Sequence, residues 1–152
     1  MSEETGSVPR IVVGVDGSEP AKAALRWAVR QARLTGATVD AVISWEYPPL
    51  LSGWTPPPSD MFDWQENATK VLDQALEEVV GPDSPVRVRP LVVHGNAAGA
   101  LLDAAEGAEL LVVGNRGHGG FARALLGSVS QHCTQQATCP VLVVRPQKTA
   151  DA

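Results

Sequence analysis

The stretch from Gly114 to Ser128, GNRGHGGFARALLGS, holds five glycines in fifteen residues. Glycine weakens both helices and strands, so five in one connection carry a cost. The stretch follows the apolar run Leu110 to Val113 and ends at Gly127-Ser128, where a helix is predicted to start. A helix N-terminus presents free N–H groups and a partial positive charge, which favour phosphate. Glycines let the backbone approach that phosphate and turn N–H groups toward it. The chemistry this pattern could do is anion binding, with Gly114 to Gly120 and Ser128 as the cradle. A loop that merely turns a corner needs one or two glycines.

Titratable side chains add less. His118 lies inside the loop and could contact phosphate when protonated. A solvent-facing loop histidine is the plainer reading, because one histidine without an orienting partner defines no mechanism. Asp16 could hold a magnesium ion through water, or bond its own backbone in a turn; the sequence leaves both open. Arg116 and Arg123 read as phosphate or surface charges. His94 and His132 read as ordinary packing or helix surface. Asp103, Glu106, Glu77 and Glu78 read as a solvated helix face. No nucleophile–base pair can be assembled, so no catalytic residue and no metal ligand is assigned.

Two common cradles are disfavoured. A P-loop needs a lysine directly after its last glycine, and Lys22, Lys70 and Lys148 each follow another residue. Gly117 to Ala122 matches the loose dinucleotide pattern G-x-G-x-x-A, but it follows the fourth apolar run rather than the first. No acid for a ribose stands about twenty residues further on.

Positioning this loop requires strands and helices around it. Five apolar, β-branched runs are predicted strands: Ile11 to Val15, Thr38 to Ile43, Val86 to Val93, Leu110 to Val113 and Val141 to Val144. Four are short and nearly continuous, as expected when both faces are covered. Four helical patterns lie between them. The first is Ala21, Leu25, Ala28 and Ala32, with Ser18 as N-cap, Pro20 in the first turn and Gly36 as stop. The second runs from Met61 through Trp64, Ala68, Val71, Leu72 and Ala75 to Val79, before Gly81-Pro82. The third holds Ala98, Leu101, Leu102 and Ala105, with Asn96 as cap and Gly107 as stop. Val129, Cys133 and Ala137 suggest a last helix. This alternation predicts an α/β fold, a parallel sheet with helices on both faces. Tyr47 to Pro58 carries five prolines and is predicted to be a loop, either a plain surface loop or a lid bordered by Trp45 and Trp54.

The chain has 152 residues, which suits one domain. A chain of this size buries roughly 70% of its unfolded surface, so it needs no metal or disulfide to fold. Its formal net charge of −5 argues against general nucleic-acid or membrane-surface binding. Cys133 and Cys139 fit no zinc spacing. Cys139 is expected to be a small buried residue before Pro140. The acidic segment from Met1 to Gly6 has no apolar region of a signal peptide, and no stretch approaches a membrane span, so a cytoplasmic location is expected.

The glycine spacing Gly114-x₂-Gly117-x₉-Gly127-Ser128 resembles the universal stress protein family in its ATP-binding branch. The opening Ile11 to Ser18, the turn Val92 to Asn96 and the closing Cys139 to Val144 are similar to other parts of that family. The resemblance spans residues 8–147, leaving 1–7 and 148–152 as expected flexible termini. It implies a Rossmann-like open sheet of order 3-2-1-4-5, a homodimer through the last strand, and ATP, with magnesium as a companion, at the strand ends. It places Gly14 and Asp16 beside the adenosine and its ribose or phosphates, Ile43 near the adenine, and Gly95 in the turn after strand three. It gives Gly114, Asn115, Arg116 and Gly117 to ribose and phosphate, with Gly119 and Gly120 in the same loop. Gly127, Ser128, Val129 and Ser130 take the outer phosphates.

Three functional classes follow. The first is a nucleotide-responsive regulator in stress survival or growth control, with weak ATPase activity at most. The second is a slow ATPase or phosphoryl-transfer enzyme. The third is a structural dimer that binds nothing, which the intact glycine pattern opposes. No nucleic-acid or membrane partner is expected, and no protein partner can be named.

Overall fold

Ile11, Val12 and Val13 are consecutive, and all three are buried. Successive strand residues point to opposite faces, so this run requires protein on both sides of its sheet. The computed structural model describes residues 8–47, 63–115 and 127–145. Its strands are β1 (Arg10–Gly14), β2 (Thr38–Trp45), β3 (Val88–His94), β4 (Leu110–Gly114) and β5 (Val141–Val144). Its helices are α1 (Glu19–Thr35), α2 (Trp64–Val79), α3 (Ala97–Ala104) and α4 (Ser128–Gln136). The five strands form one sheet in the order β3-β2-β1-β4-β5. Each neighbouring pair is parallel.

Two cores result. Ile11 and Val13 pack with Leu25 of α1 and Leu72 of α2. Val12 and Leu111 pack on the other face with Leu101 of α3 and Cys133 of α4. From β1 the chain steps outward through β2 to β3, then returns across the sheet to β4 and continues to β5. The connections therefore diverge between β1 and β4, where open α/β sheets bind ligands.

The local signals for the first helix hold. Ser18 Oγ accepts from Ala21 N–H at 3.3 Å, and Gly36 ends α1 at φ 80°. Elsewhere the edges shift. The N-cap of α2 is Asp63, which accepts from Glu66 N–H at 2.9 Å, and Met61 lies outside the described residues. The third helix stops at Ala104, three residues before Gly107, and Ala100 takes a buried place that Ala98 was expected to fill. The third strand starts at Val88 rather than Val86, because the register with β2 begins there, opposite Val39. The expected termini and the segment from Pro48 to Pro58 lie outside the described residues.

Among the described residues one core residue is charged. Asp40 on β2 is 2% exposed. Arg89 on β3 grips it with two bonds, Nε to Oδ1 at 3.1 Å and Nη2 to Oδ2 at 3.0 Å. Arg10 on β1 adds a third contact at 3.4 Å. The Arg89 guanidinium is raised above its ordinary range, chiefly by its hydrogen bond to Asp40. A buried carboxylate needs such compensation. Arg10 also donates to Ala104 O at 2.9 Å and to Glu106 O at 2.7 Å, so it ties the C-terminal end of α3 to the start of the sheet.

Candidate functional site

Asp16 follows β1 at the point where the connections diverge. Its Oδ1 accepts from Ser18 N–H at 2.9 Å and from Ser18 Oγ. The turn reading of Asp16 is therefore realised by this oxygen, and Ser18 is held both by Asp16 and by its own cap.

Gly114 ends β4 on the facing side. A Cβ there would lie 2.7 Å from the carbonyl carbon and oxygen of Pro20 in the first turn of α1. Its lack of a side chain is thus already required by helix packing. Gly14 has a milder version of the same constraint, since a Cβ would lie 2.9 Å from Leu101 Cδ1.

Asn115 comes next and is 5% exposed. Its backbone is fully engaged: N–H donates to Val144 O at 2.7 Å, and its carbonyl accepts from Gly127 N–H at 2.8 Å. Its side-chain Oδ1 is buried and has no hydrogen-bond partner among the described residues. A buried acceptor left unmet is costly, so this atom calls for a donor. Sugar hydroxyls and exocyclic amines are donors of that kind.

Gly127 caps α4 in an extended conformation, and as a glycine it offers no side-chain bond to the first-turn N–H groups. Ser128 is exposed at the first helical position and Val129 is half-buried in the second core. Ser130 is buried, and its hydroxyl donates to Gly114 O and lies 3.2 Å from Asn115 O. It braces the end of β4 against α4. Among the predicted cradle residues, Arg116, Gly117, Gly119 and Gly120 lie outside the described residues, as does His118.

Ile43 is buried in the first core, so its side chain faces the helices α1 and α2. Gly95 follows β3 at φ 141° and donates to Trp45 O at 2.9 Å. That turn brings together rings which the sequence reading kept apart. Trp45 and His94 are register partners on β2 and β3, with ring centroids 4.4 Å apart. Tyr47 stands edge-on to Trp45 at 5.5 Å. Strand order plus register would have been the signal for this cluster.

A cavity of about 600 Å³ lies beside Asp16 and Gly17, walled by Lys22 of α1 and by Gln74, Glu77 and Glu78 of α2. Lys22 bonds Glu78 at 3.1 Å and Glu19 at 3.5 Å. The ammonium is pushed above its ordinary range, chiefly by the Glu78 hydrogen bond. Glu78 thus bridges helices, although the sequence suggested a solvated face. Among the described residues no group of three or more His, Cys, Asp or Glu side chains could hold a metal ion.

The cysteines are free. Cys133 is fully buried, and burial raises its thiol above the usual range. Cys139 is half-buried rather than fully buried; burial raises it as well, while a backbone bond and Arg10 oppose the shift. A raised thiol holds less thiolate at neutral pH, and its reactivity appears only as pH climbs. Iodoacetamide should label Cys139 before Cys133, and Cys133 only on unfolding. Equal labelling rates in the native protein, followed by mass spectrometry, would contradict this packing.

No helix among the described residues is long and apolar enough to cross a membrane. The family model described as "Universal stress protein family" matches residues 8–145. A universal stress protein of Mycolicibacterium smegmatis is 36% identical over 144 residues, covering 88% of this chain and 47% of that protein. One from Mycobacterium tuberculosis is 33% identical over 145 residues, covering 90% of this chain and 48% of its own length. The chain thus spans about half the length of these curated relatives. A solved universal stress protein from Burkholderia pseudomallei is 29% identical with a TM-score of 0.66, covering 91% of this chain and 96% of its own. One from Archaeoglobus fulgidus, solved in complex with dAMP, is 26% identical with a TM-score of 0.61, covering 91% and 98%. The Rossmann-like sheet, its strand order and these matches agree: the chain belongs to the universal stress protein family.

Proposed function

We propose that this chain binds ATP where β1 and β4 diverge and acts in the cytoplasm as a nucleotide-responsive regulator of stress survival or growth control. The observation that carries this reading is the buried Oδ1 of Asn115, unpartnered among the described residues, beside the glycine-capped start of α4. An acceptor awaiting a donor, next to N–H groups awaiting an anion, matches a molecule with both hydroxyls and phosphates. The dAMP complex of the Archaeoglobus relative supports an adenine nucleotide.

In this reading Ser128 and Val129 N–H groups hold phosphate, and Asn115 accepts from a ribose hydroxyl. Arg116, Gly117, Gly119 and Gly120 complete the cradle. Asp16 lies near the sugar or a hydrated magnesium ion, and Gly14, Ile43 and Gly95 border the nucleotide. Ser130 positions the cradle through its bonds to β4. The active form is a homodimer joined along β5.

Calorimetry with ATP and magnesium tests the site. The wild-type chain should bind, and Gly117→Val should not, because a β-branched residue removes positive-φ freedom and blocks the phosphate. Unchanged affinity in Gly117→Val would overturn the cradle. Bound nucleotide recovered from denatured protein should be ATP; rapid conversion to ADP would favour the slow ATPase instead.

A further inference from the structure

We propose that the outer face of the α1–α2 layer is a contact between two copies of this chain, α1 of one copy lying on α2 of the other. On α1, Arg26, Arg30 and Arg33 are exposed opposite the buried Ala21, Leu25, Ala28 and Ala32. On α2, Glu66, Asp73 and Glu77 are exposed opposite the buried Ala68, Leu72 and Ala75. Both helices cover the same side of the sheet. One molecular face therefore carries a positive stripe and a negative stripe side by side.

Internal pairing leaves most of these charges over. Lys22 takes Glu19 and Glu78, and Lys70 takes Glu66 at 3.8 Å. Among the described residues Arg26, Arg33, Asp73 and Glu77 make no ion pair. Arg30 lies 4.7 Å above the ring of Trp27. Trp27 is 41% exposed and Leu34 is 74% exposed on the same helix. Tryptophan and arginine together are the residues that most often anchor protein contacts.

The charge pattern selects the occupant. A flat anionic surface, such as a bilayer, would be opposed by the acidic stripe of α2 beside the arginines. A second copy meets only the charges within a Debye length, about 10 Å at 0.1 M salt. A two-fold axis between α1 and α2 lays each positive stripe on the partner's negative one, and the contact closes on itself. The spacings match: Arg26 to Arg30 and Asp73 to Glu77 are both one helical turn, a rise of about 6 Å. Two helices about 25 Å long and about 10 Å apart cover about 500 Å² per copy, or about 1,000 Å² in total, the lower end for a specific contact. Association through this face is therefore weak and salt-sensitive. It is independent of the nucleotide site and leaves β5 open.

A charge swap tests it by sedimentation velocity. Arg26→Glu/Arg30→Glu and Asp73→Lys/Glu77→Lys should each weaken self-association at least about tenfold. An equimolar mixture of the two variants should associate like wild type, since each new charge then meets its opposite. Association of wild type should be present at about 0.1 M salt and lost at about 1 M. If β5 also pairs, this contact appears as a dimer-to-tetramer step, and as monomer-to-dimer in a Val143→Pro background. Failure of the mixture to recover association overturns the proposal. So does a wild-type chain whose size is the same at about 0.1 M and about 1 M salt, or an arginine variant whose one defect is lost binding to phosphatidylglycerol vesicles.

Discussion

Gly114→Ala should lower stability by about 3 kcal/mol or more, while Gly14→Ala should cost about 1 kcal/mol or less. Each adds one methyl group, and the two intruding distances are similar, at 2.7 and 2.9 Å. What differs is the neighbour. At Gly114 the methyl meets the carbonyl carbon and oxygen of Pro20, with Pro20 Cβ at 3.0 Å. Those atoms belong to the first turn of α1, next to the Ser18 cap, and cannot rotate away. Relief requires moving the helix or the end of β4. At Gly14 the methyl meets the tip of Leu101, which can change rotamer. Gly114→Ala should also weaken ATP binding, because the strand end it displaces carries Asn115. Urea unfolding of both variants and calorimetry of the first are the measurements. Equal losses in the two would show that the close approach of α1 to β4 is not what requires glycine.

Val143→Pro should convert the dimer proposed along β5 into a monomer that keeps its secondary structure. Two observed bonds orient the strand: Pro140 O accepts from Leu111 N–H at 2.9 Å, and Val144 O accepts from Asn115 N–H at 2.7 Å. Even-numbered residues of β5 thus turn their backbone groups toward β4. By alternation Val141 and Val143 turn theirs to the open edge. Proline at 143 removes an outward donor and leaves the ladder to β4 intact. At the other edge, β3 carries exposed Arg89 and Pro90, which blunt it against pairing. Light scattering at micromolar protein in about 1 M salt, where the α1–α2 contact is lost, would decide. A monomeric wild type, or a proline variant that stays dimeric with unchanged circular dichroism, would place the interface elsewhere.

The parts of this fold legible in the sequence are those fixed within a few residues. Ser18, Asn96 and Gly36 announce helix ends through bonds to near neighbours, and the apolar runs announce strands. Bounds that depend on a distant partner were not legible. Val88 opens β3 because the register with β2 begins there, opposite Val39. Asp40 reads as a polar interruption in an apolar run, since the arginine that neutralises it is 49 residues away. In the candidate site, glycine spacing pointed to the strand ends. It could not separate a glycine held by helix packing, as at Gly114, from one kept for a ligand. It could not show that Ser130 turns inward, or that Asn115 is buried with an acceptor unmet. Each of those is a tertiary fact.

Asp40 also constrains the order in which this protein can fold as it leaves the ribosome. The unit β1–α1–β2 is complete by Trp45, and its strands could pair while the rest is still being made. Closing it leaves Asp40 in water, on the face shared with Val12 and Val42 that α3 later covers, until its two-bond partner Arg89 is synthesised. Arg10 alone would face it, and the carbonyls of Ala104 and Glu106 that steady Arg10 are 94 and 96 residues further along the chain. A buried charge without its partner is strongly unfavourable. At about 5–20 residues per second the nascent chain waits several seconds between the two events. During that interval the carboxylate stays hydrated, and chain order delivers Arg89 on β3 before α3 closes over that face.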